Sequence, residues 1–351
     1  MGRNRFILVK GSMRNLCILV IILMFTNTNA NSIIPPKIKN TDKYTFIVAG
    51  HAYGSHFGTN VGLHPQFVNK LEYIKNSGCD FMIFAGDFIR GLTGKWEVVE
   101  SELKQFEIQP YFVMGNSELY NNNSIEKFIN KYGNSFYSFD IKTERYIILN
   151  SQKSSRSITE DQIKFLKERV ETLSDKNRNV FIFFHELLWN SNEIYKDVKS
   201  NRRSRYHNII DKSNYWQRIH PILEKTKKPI YVIAGDLGGK PDSQPAFYDK
   251  WNNVTLIATG MGEIKDENYL KVNIHYGSIN FELIPLNNKI KLNEINYYSV
   301  ENMSKHYNPK DYLILLKIVR LVETESFKSG VFVGMIGISL LFGFIRLVRN
   351  N

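Results

Sequence analysis

The sequence predicts an α/β domain of two packed mixed β-sheets flanked by helices, followed by a C-terminal transmembrane helix. Three features carry this expectation. Short, mostly apolar runs of strand length recur at 44–49, 81–85, 110–114, 180–184 and 230–234, each stopping abruptly at a polar residue or a glycine, as strands buried on both faces do. Amphipathic stretches of helical spacing lie between them, which is α/β alternation. Two further pairs of runs read as hairpins, giving more strands than one doubly wound sheet needs.

The order along the chain begins with a targeting segment. Arg3, Arg5, Lys10 and Arg14 precede an apolar run at 16–25, and Thr28-Asn29-Ala30 offers a cleavage point. That run is short for a membrane span, so residues 1–30 read as a signal peptide or, alternatively, an uncleaved signal anchor. Either exports the domain downstream. The first strand (44–49) precedes a helix over 67–74, and the second (81–85) a helix over 96–106. After the third (110–114) comes a hairpin, 135–141 with 146–150, then a helix over 158–170. The fourth strand (180–184), a helix over 215–223 and the fifth strand (230–234) complete the alternation, and a second hairpin joins 270–275 to 279–284. A single domain over 31–290 is the simplest division.

Residues 291–327 form a juxtamembrane segment. Its Leu- and Ile-rich helix at 311–323 lies either on the lipid surface or against the domain as a stalk. Residues 328–347 are expected to cross the membrane, because 329–345 is free of charge. Gly330, Gly334, Gly337 and Gly343 suit a membrane helix better than the alternative, a buried core helix. Arg346 and Arg349 favour a cytoplasmic tail at 348–351 and so an extracytoplasmic domain. The Gly330 and Gly334 pair offers a face for a homodimer through this helix.

The 351 residues are 43% hydrophobic with a formal net charge of +12, which argues against disorder and favours an anionic partner. Cys17 lies in the leader and Cys79 stands alone in the body, so the exported domain has no intrachain disulfide. The dense basic run, Lys196, Lys199, Arg202, Arg203 and Arg205, is either a clamp for an anionic substrate or a solvated loop. Trp189 either stacks on a substrate or packs in the core. The chain carries no nucleic-acid-binding motif, and an exported, tethered domain meets little nucleic acid. Sequons at 122–124, 253–255 and 302–304 are frequent by chance in an asparagine-rich chain.

The chemistry is concentrated where the five buried strands stop. Ala49-Gly50-His51, Ala85-Gly86-Asp87, Met114-Gly115-Asn116, Phe183-Phe184-His185 and Ala234-Gly235-Asp236 each end in a potential metal ligand. Carboxyl ends of strands line the functional crevice of α/β sheets. Oxygen and nitrogen donors without thiolate suit a divalent or trivalent transition metal (Mn, Fe or Zn), and Asp87 is placed to bridge two ions.

This ordered set resembles the calcineurin-like metallophosphoesterases, whose pattern is Asp-x-His, Gly-Asp, Gly-Asn-His followed by an acid, a lone His, then Gly-His-x-His. Gly86-Asp87, Gly115-Asn116, Glu118 and His185 match. The resemblance implies a four-layer sandwich and hydrolysis of a phosphate mono- or diester by metal-activated water. It also implies one complete metal site at Asp87, Asn116, His185 and Asp236. The second site is altered: His51-Ala52-Tyr53 replaces Asp-x-His, Ser117 replaces the proton-donor histidine, and Gly238 replaces the last histidine. His51 and Asp87 remain there, with Tyr53 and His56 as additional candidates and Glu118 as a further possible ligand of the centre, and His51 or His56 is the imidazole available to protonate a leaving group.

Two functions are consistent with these residues. The first is a membrane-anchored, extracytoplasmic phosphoesterase using His51, Asp87, Asn116 and His185, with Trp189, Arg202, Arg203 and Arg205 binding a substrate at or near the membrane. The alternative is a catalytically impaired module that binds an anionic cell-surface polymer or assembles with it.

Overall fold

The computed structural model describes residues 33–302 apart from 56–57, 120–123, 155, 196, 199, 201–212, 240–242 and 263–265. The leader, the 311–323 helix and the 328–347 span lie outside the described residues. Among the described residues no helix is long and apolar enough to cross a membrane.

The strands are β1 (Lys43–Ala49), β2 (Phe81–Ala85), β3 (Gln109–Val113), β4 (Tyr137–Ile141), β5 (Glu144–Ile148), β6 (Asn179–Phe184), β7 (Ile230–Ala234), β8 (Ala246–Trp251), β9 (Val254–Thr259), β10 (Asn268–His275) and β11 (Ser278–Pro285). They form two mixed sheets, ordered β11-β10-β1-β2-β3 and β4-β5-β6-β7-β9-β8. In the first, β1, β2 and β3 run parallel. In the second, β5, β6, β7 and β9 do. Antiparallel hairpins close three of the four margins, and two of them, β4–β5 and β10–β11, are the extra strand pairs the sequence predicts.

Strand alternation divides the apolar side chains among three layers. Phe46, Val48, Phe81 and Ile83 of one sheet meet Tyr146, Ile148, Phe181 and Phe183 of the other in the central layer. Ile47, Met82 and Phe84 point outward under the helices Pro65–Val68, Leu71–Asn76, Trp96–Phe106 and Ser124–Tyr132. Val180, Ile182 and Phe184 point the opposite way, under Glu160–Glu171 and His220–Glu224. Strands covered on both faces read as unbroken apolar runs for this reason. The central layer is stacked aromatics: Phe139 on Tyr146 at 4.9 Å, Tyr146 on Phe181 at 5.1 Å, and Phe46 edge-on to Tyr146 at 5.5 Å. Each such pair adds about 0.5–1.5 kcal/mol beyond its buried area.

The helix expected over 67–74 is two short helices, because the Lys70 amide turns back to the Phe67 oxygen and breaks the ladder. The helix expected over 215–223 starts as a wide π turn at Tyr215–Ile219, where the His220 amide reaches the Tyr215 oxygen. Pro221 lacks the amide that a regular turn would use next.

The β8–β9 hairpin is not expected from the sequence. Its turn is Asn252-Asn253, with Asn252 in the left-handed region at φ +51. The sequon asparagine at 253 is a structural lock: its amide nitrogen lies within hydrogen-bond distance of the carbonyls of Leu223, Thr226 and Lys228, at 3.2, 2.8 and 3.0 Å. Asn253→Ala is expected to cost about 1–3 kcal/mol and to lower the thermal midpoint by a few degrees. No glycan is expected at this position by intact-mass measurement.

Candidate metal centre

The carboxyl ends of β1, β2 and β3 from one sheet and of β6 and β7 from the other meet at one point. Packed sheets usually stand about 10 Å apart, and two glycines let these pinch together. A Cβ on Gly50 would lie 2.5 Å from the carbonyl oxygens of both Gly235 and Thr259, and one on Gly235 would lie 2.0 Å from the Ala85 oxygen. Backbone bonds lock the junction: the His51 amide donates to Gly86 O (3.2 Å), Tyr53 to Asp87 O (3.0 Å) and Gly235 to His185 O (2.9 Å). His51 and Asp87 both adopt left-handed backbone, φ +50 and +54, a conformation costing about 1–3 kcal/mol at a non-glycine residue and concentrated at functional sites.

The donors converge. His51 Nε2 lies 3.5 Å from Asp87 Oδ2, and His185 Nε2 lies 3.4 Å from both Asp87 Oδ1 and Asp236 Oδ1. Ligand atoms of His51, Asp87 and Asp236 all fall within 4.8 Å of one another, and the three residues are buried. His185 Nδ1 faces Ala85 O at 2.9 Å, so that in the neutral imidazole a metal requires the proton sits on Nδ1 and the Nε2 lone pair faces the carboxylates. Asp87 Oδ2 and Asn116 Oδ1 are buried and accept no hydrogen bond.

These residues fit a metal ion. Spacings of 3.4–3.5 Å are long for hydrogen bonds but near the edges of a coordination polyhedron with bonds of about 2.1 Å, roughly 3.0 Å if octahedral and 3.4 Å if tetrahedral. Buried acceptor oxygens without donors are costly unless a cation meets them.

The charges agree. Although burial opposes it, the carboxylates of Asp87 and Asp236 raise His185 to about 10. Against the same burial penalty, His185 and His51 hold the Asp87 carboxyl well below the usual carboxylate range. Charged His185 therefore stabilises the metal-free fold fully below pH 6.5, and this contribution is lost as the pH rises through about 10. A metal needs the neutral imidazole. Binding of one ion at pH 8 is thus expected to release about one proton, with affinity rising roughly tenfold per pH unit up to the His185 pKa. Calorimetry in buffers of different ionisation enthalpy measures this; zero release would show that His185 is not a ligand.

The other expected residues separate. Glu118 is a clamp rather than a ligand, because both its oxygens are occupied by backbone amides. Oε2 accepts from Asp87 (3.0 Å) and Gly115 (2.7 Å), and Oε1 from Phe88 (2.9 Å) and Ile89 (3.2 Å). Burial and the Asp87 charge push its carboxyl up to about 7, against the pull of those amides. Tyr53 is buried, with its ring 4.4 Å from that of His51 and its hydroxyl bonded to the Ser117 side chain. Burial and the nearby Asp87 charge raise that phenol well above its ordinary pKa.

Trp189 is corrected from a substrate contact to a core residue: it has no exposed surface and stacks on Phe247 at 5.8 Å. His56, Arg202, Arg203 and Arg205 lie outside the described residues. Sequence reasoning passed over Arg90, three residues beyond Asp87, whose guanidinium lies 5.1 Å from the centre of the Tyr53 ring. A cation so soon after a strand-end carboxylate was the available signal.

A profile of the calcineurin-like phosphoesterase family matches residues 51–237, from the first donor histidine to just past Asp236. Solved structures of similar fold include a dimetal phosphatase from Danio rerio, 13% identical over 70% of this chain and 96% of that one, with a TM-score of 0.51. A purple acid phosphatase from yellow lupin seeds is 12% identical over 75% of this chain and 54% of that one, with a TM-score of 0.53. At these identities the likeness is one of fold. No curated protein matches the chain in sequence.

Proposed function

Because this chain belongs to the calcineurin-like phosphoesterase family, we propose that it is a metal-dependent phosphoesterase acting on a phosphate mono- or diester, exported and anchored in a membrane by its C-terminus. The observation that carries the reading is the gathering of His51, Asp87 and Asp236 ligand atoms, with His185 Nε2 beside both carboxylates, in one buried cluster. Asn116 and His185 complete the set that would hold Mn, Fe or Zn. An ion held there supplies Lewis acidity towards phosphoryl and water oxygens.

The chain's own contribution is placement. The Ala85 carbonyl orients His185, the Ser117 amide donates to Asp87 Oδ1 at 2.8 Å, and Glu118 fixes the loop that carries Asp87. Ser117, an alcohol bonded to Tyr53, is too weak an acid to protonate a leaving group near neutral pH.

Export and anchoring are supported by the basic-then-apolar leader and by the uncharged stretch at 329–345 ahead of Arg346 and Arg349. A phosphorylated or anionic substrate at the membrane suits the net charge of +12, and the Gly330 and Gly334 pair supports a homodimer.

Full-length protein extracted in detergent and purified without chelator is expected to carry Mn, Fe or Zn by elemental analysis. It should release nitrophenol from p-nitrophenyl phosphate or its diester. Chelation should remove both metal and rate, and readdition should restore them. A metal-free protein under these conditions favours the binding-module reading, and a rate that survives chelation overturns metal dependence.

A further inference from the structure

The helices on the outer face of the second sheet do not close over it. Between Glu160–Glu171 and His220–Glu224 lies an open groove of about 530 Å³. Its floor is apolar: Ile163, Val170, Leu173 and Ile222 belong to the outer apolar layer under these helices or pack against it. Its rim is basic. Lys167 and Arg218 are already matched, by Glu171 at 3.7 Å and Glu160 at 2.7 Å, and Lys228 Nζ donates to the Asp175 carbonyl oxygen at 3.3 Å. Lys225 and Lys227 are exposed, with no acidic partner among the described residues. A concave apolar trough with cations at one end suits an amphipathic helix that carries acids at one end.

The chain supplies such a helix. The described residues end on this same face: the Ile295–Tyr298 turn lies against β8, and Val300 packs on the outer layer, as does Trp251, the last residue of β8. The Trp251 ring is 6.0 Å from that of His220, where the second helix of the groove starts. From Asn302 the chain reaches Asp311 in nine residue steps, up to about 30 Å, against a helix diameter of about 10–12 Å. Nine of the thirteen residues at 311–323 are apolar. At helical spacing they cover an arc of about 220°, interrupted only by the terminal Asp311 and Glu323, where one core-facing side needs about 100°. Lys317 and Arg320 lie opposite. A helix resting on lipid keeps a strongly basic polar face, which two cations do not make.

We propose that the 311–323 helix docks in this groove, its Leu and Ile side chains on the floor and Glu323 and Glu325 beside Lys225 and Lys227. Residues 225–228 lead into β7, so that end of the groove lies at the amino ends of the central strands, and the metal centre at their carboxyl ends. The docked helix holds the centre at a fixed height above the bilayer that receives 328–347. Docking itself needs no metal, and its consequence for height rests on the anchoring proposed above.

The test uses full-length protein in detergent, with photoreactive benzoylphenylalanine placed singly at Ile222 on the floor and at Lys227 on the rim. Exposed Tyr73, on the helix layer of the other sheet, is the control site. Irradiation is expected to join positions 222 and 227 to peptides from 311–325 of the same chain, and position 73 to none of them. Lys227 is exposed, so that site still reports if the change at Ile222 disturbs packing. In hydrogen exchange, Lys225→Glu with Lys227→Glu should speed the amides of 312–322 about threefold, the worth of two exposed ion pairs. Adding Glu323→Lys and Glu325→Lys should restore the wild-type rate.

Cross-links to a second chain, to detergent or lipid alone, or to nothing overturn the docking, as does exchange that ignores the charge reversal. Partition between detergent-rich and aqueous phases reads the anchor separately. Recovery in the aqueous phase overturns the anchor and leaves the cross-links to decide the docking.

Discussion

Asp87→Ala is expected to abolish metal retention and hydrolysis together. Asp87 faces both flanks: Oδ1 lies towards His185 and accepts the Ser117 amide, while Oδ2 lies towards His51. Losing a residue that merely orients a ligand typically costs 10–100-fold in metal affinity or activity. Losing this shared carboxylate should cost more than ~100-fold in affinity and bring the rate to background.

The effect on the metal-free fold is smaller, about 3–5 kcal/mol at most, because His185 relieves part of the imbalance by giving up its proton. Thermal unfolding separates the two effects. Wild type should gain stability with Mn(II) by mass action, and Asp87→Ala should gain none. A variant still stabilised by Mn(II) would show that the ion sits elsewhere.

Glu118→Ala should produce the largest loss of stability among the residues near the centre that would not touch the metal. Its carboxylate is the acceptor for the amides of Asp87, Phe88, Ile89 and Gly115. Each orphaned buried amide costs about 1–3 kcal/mol unless water replaces the lost acceptor. With water recovering part, a net loss of about 3–5 kcal/mol and a fall in thermal midpoint of about 10 °C are expected. Activity should fall as well, because the Asp87 loop loses its tie to the Gly115 loop. Glu118→Gln keeps one acceptor oxygen and should fall between the two. A Glu118→Ala protein with native stability would show that water alone can serve these amides.

The fold was legible where burial is simplest. The five central strands stood out because both faces are covered, so no polar alternation interrupts them. Trp96–Phe106 was read to its observed ends because its apolar spacing has no competing signal. Asn252-Asn253 was a turn signal overlapping a sequon, and the short helix Ser124–Tyr132 was passed over although Ile125, Phe128, Ile129 and Tyr132 recur at helical spacing.

The donors were legible because strand ends are where α/β sheets place chemistry. Glu118 was legible as a matching acid but not in its role, and Arg90 was not legible at all, for a common reason. One is defined by backbone amides and the other by a ring and an asparagine distant in sequence, which only the folded chain brings together. Trp189 obeyed the simpler physics of an indole beside a buried strand.

The glycine junction has a consequence for how such a centre changes over time. At Gly50 and Gly235 the backbone occupies the space a side chain would need, so the positions of His51 and Asp236 are set by main-chain geometry and hold whatever residue stands there. A lineage can therefore exchange an imidazole for a carboxylate, or a histidine for a serine, one codon at a time while the frame persists. What it cannot do cheaply is move a donor to a new address. Divergence in a centre built this way alters the ion, the charge and the substrate before it alters the architecture.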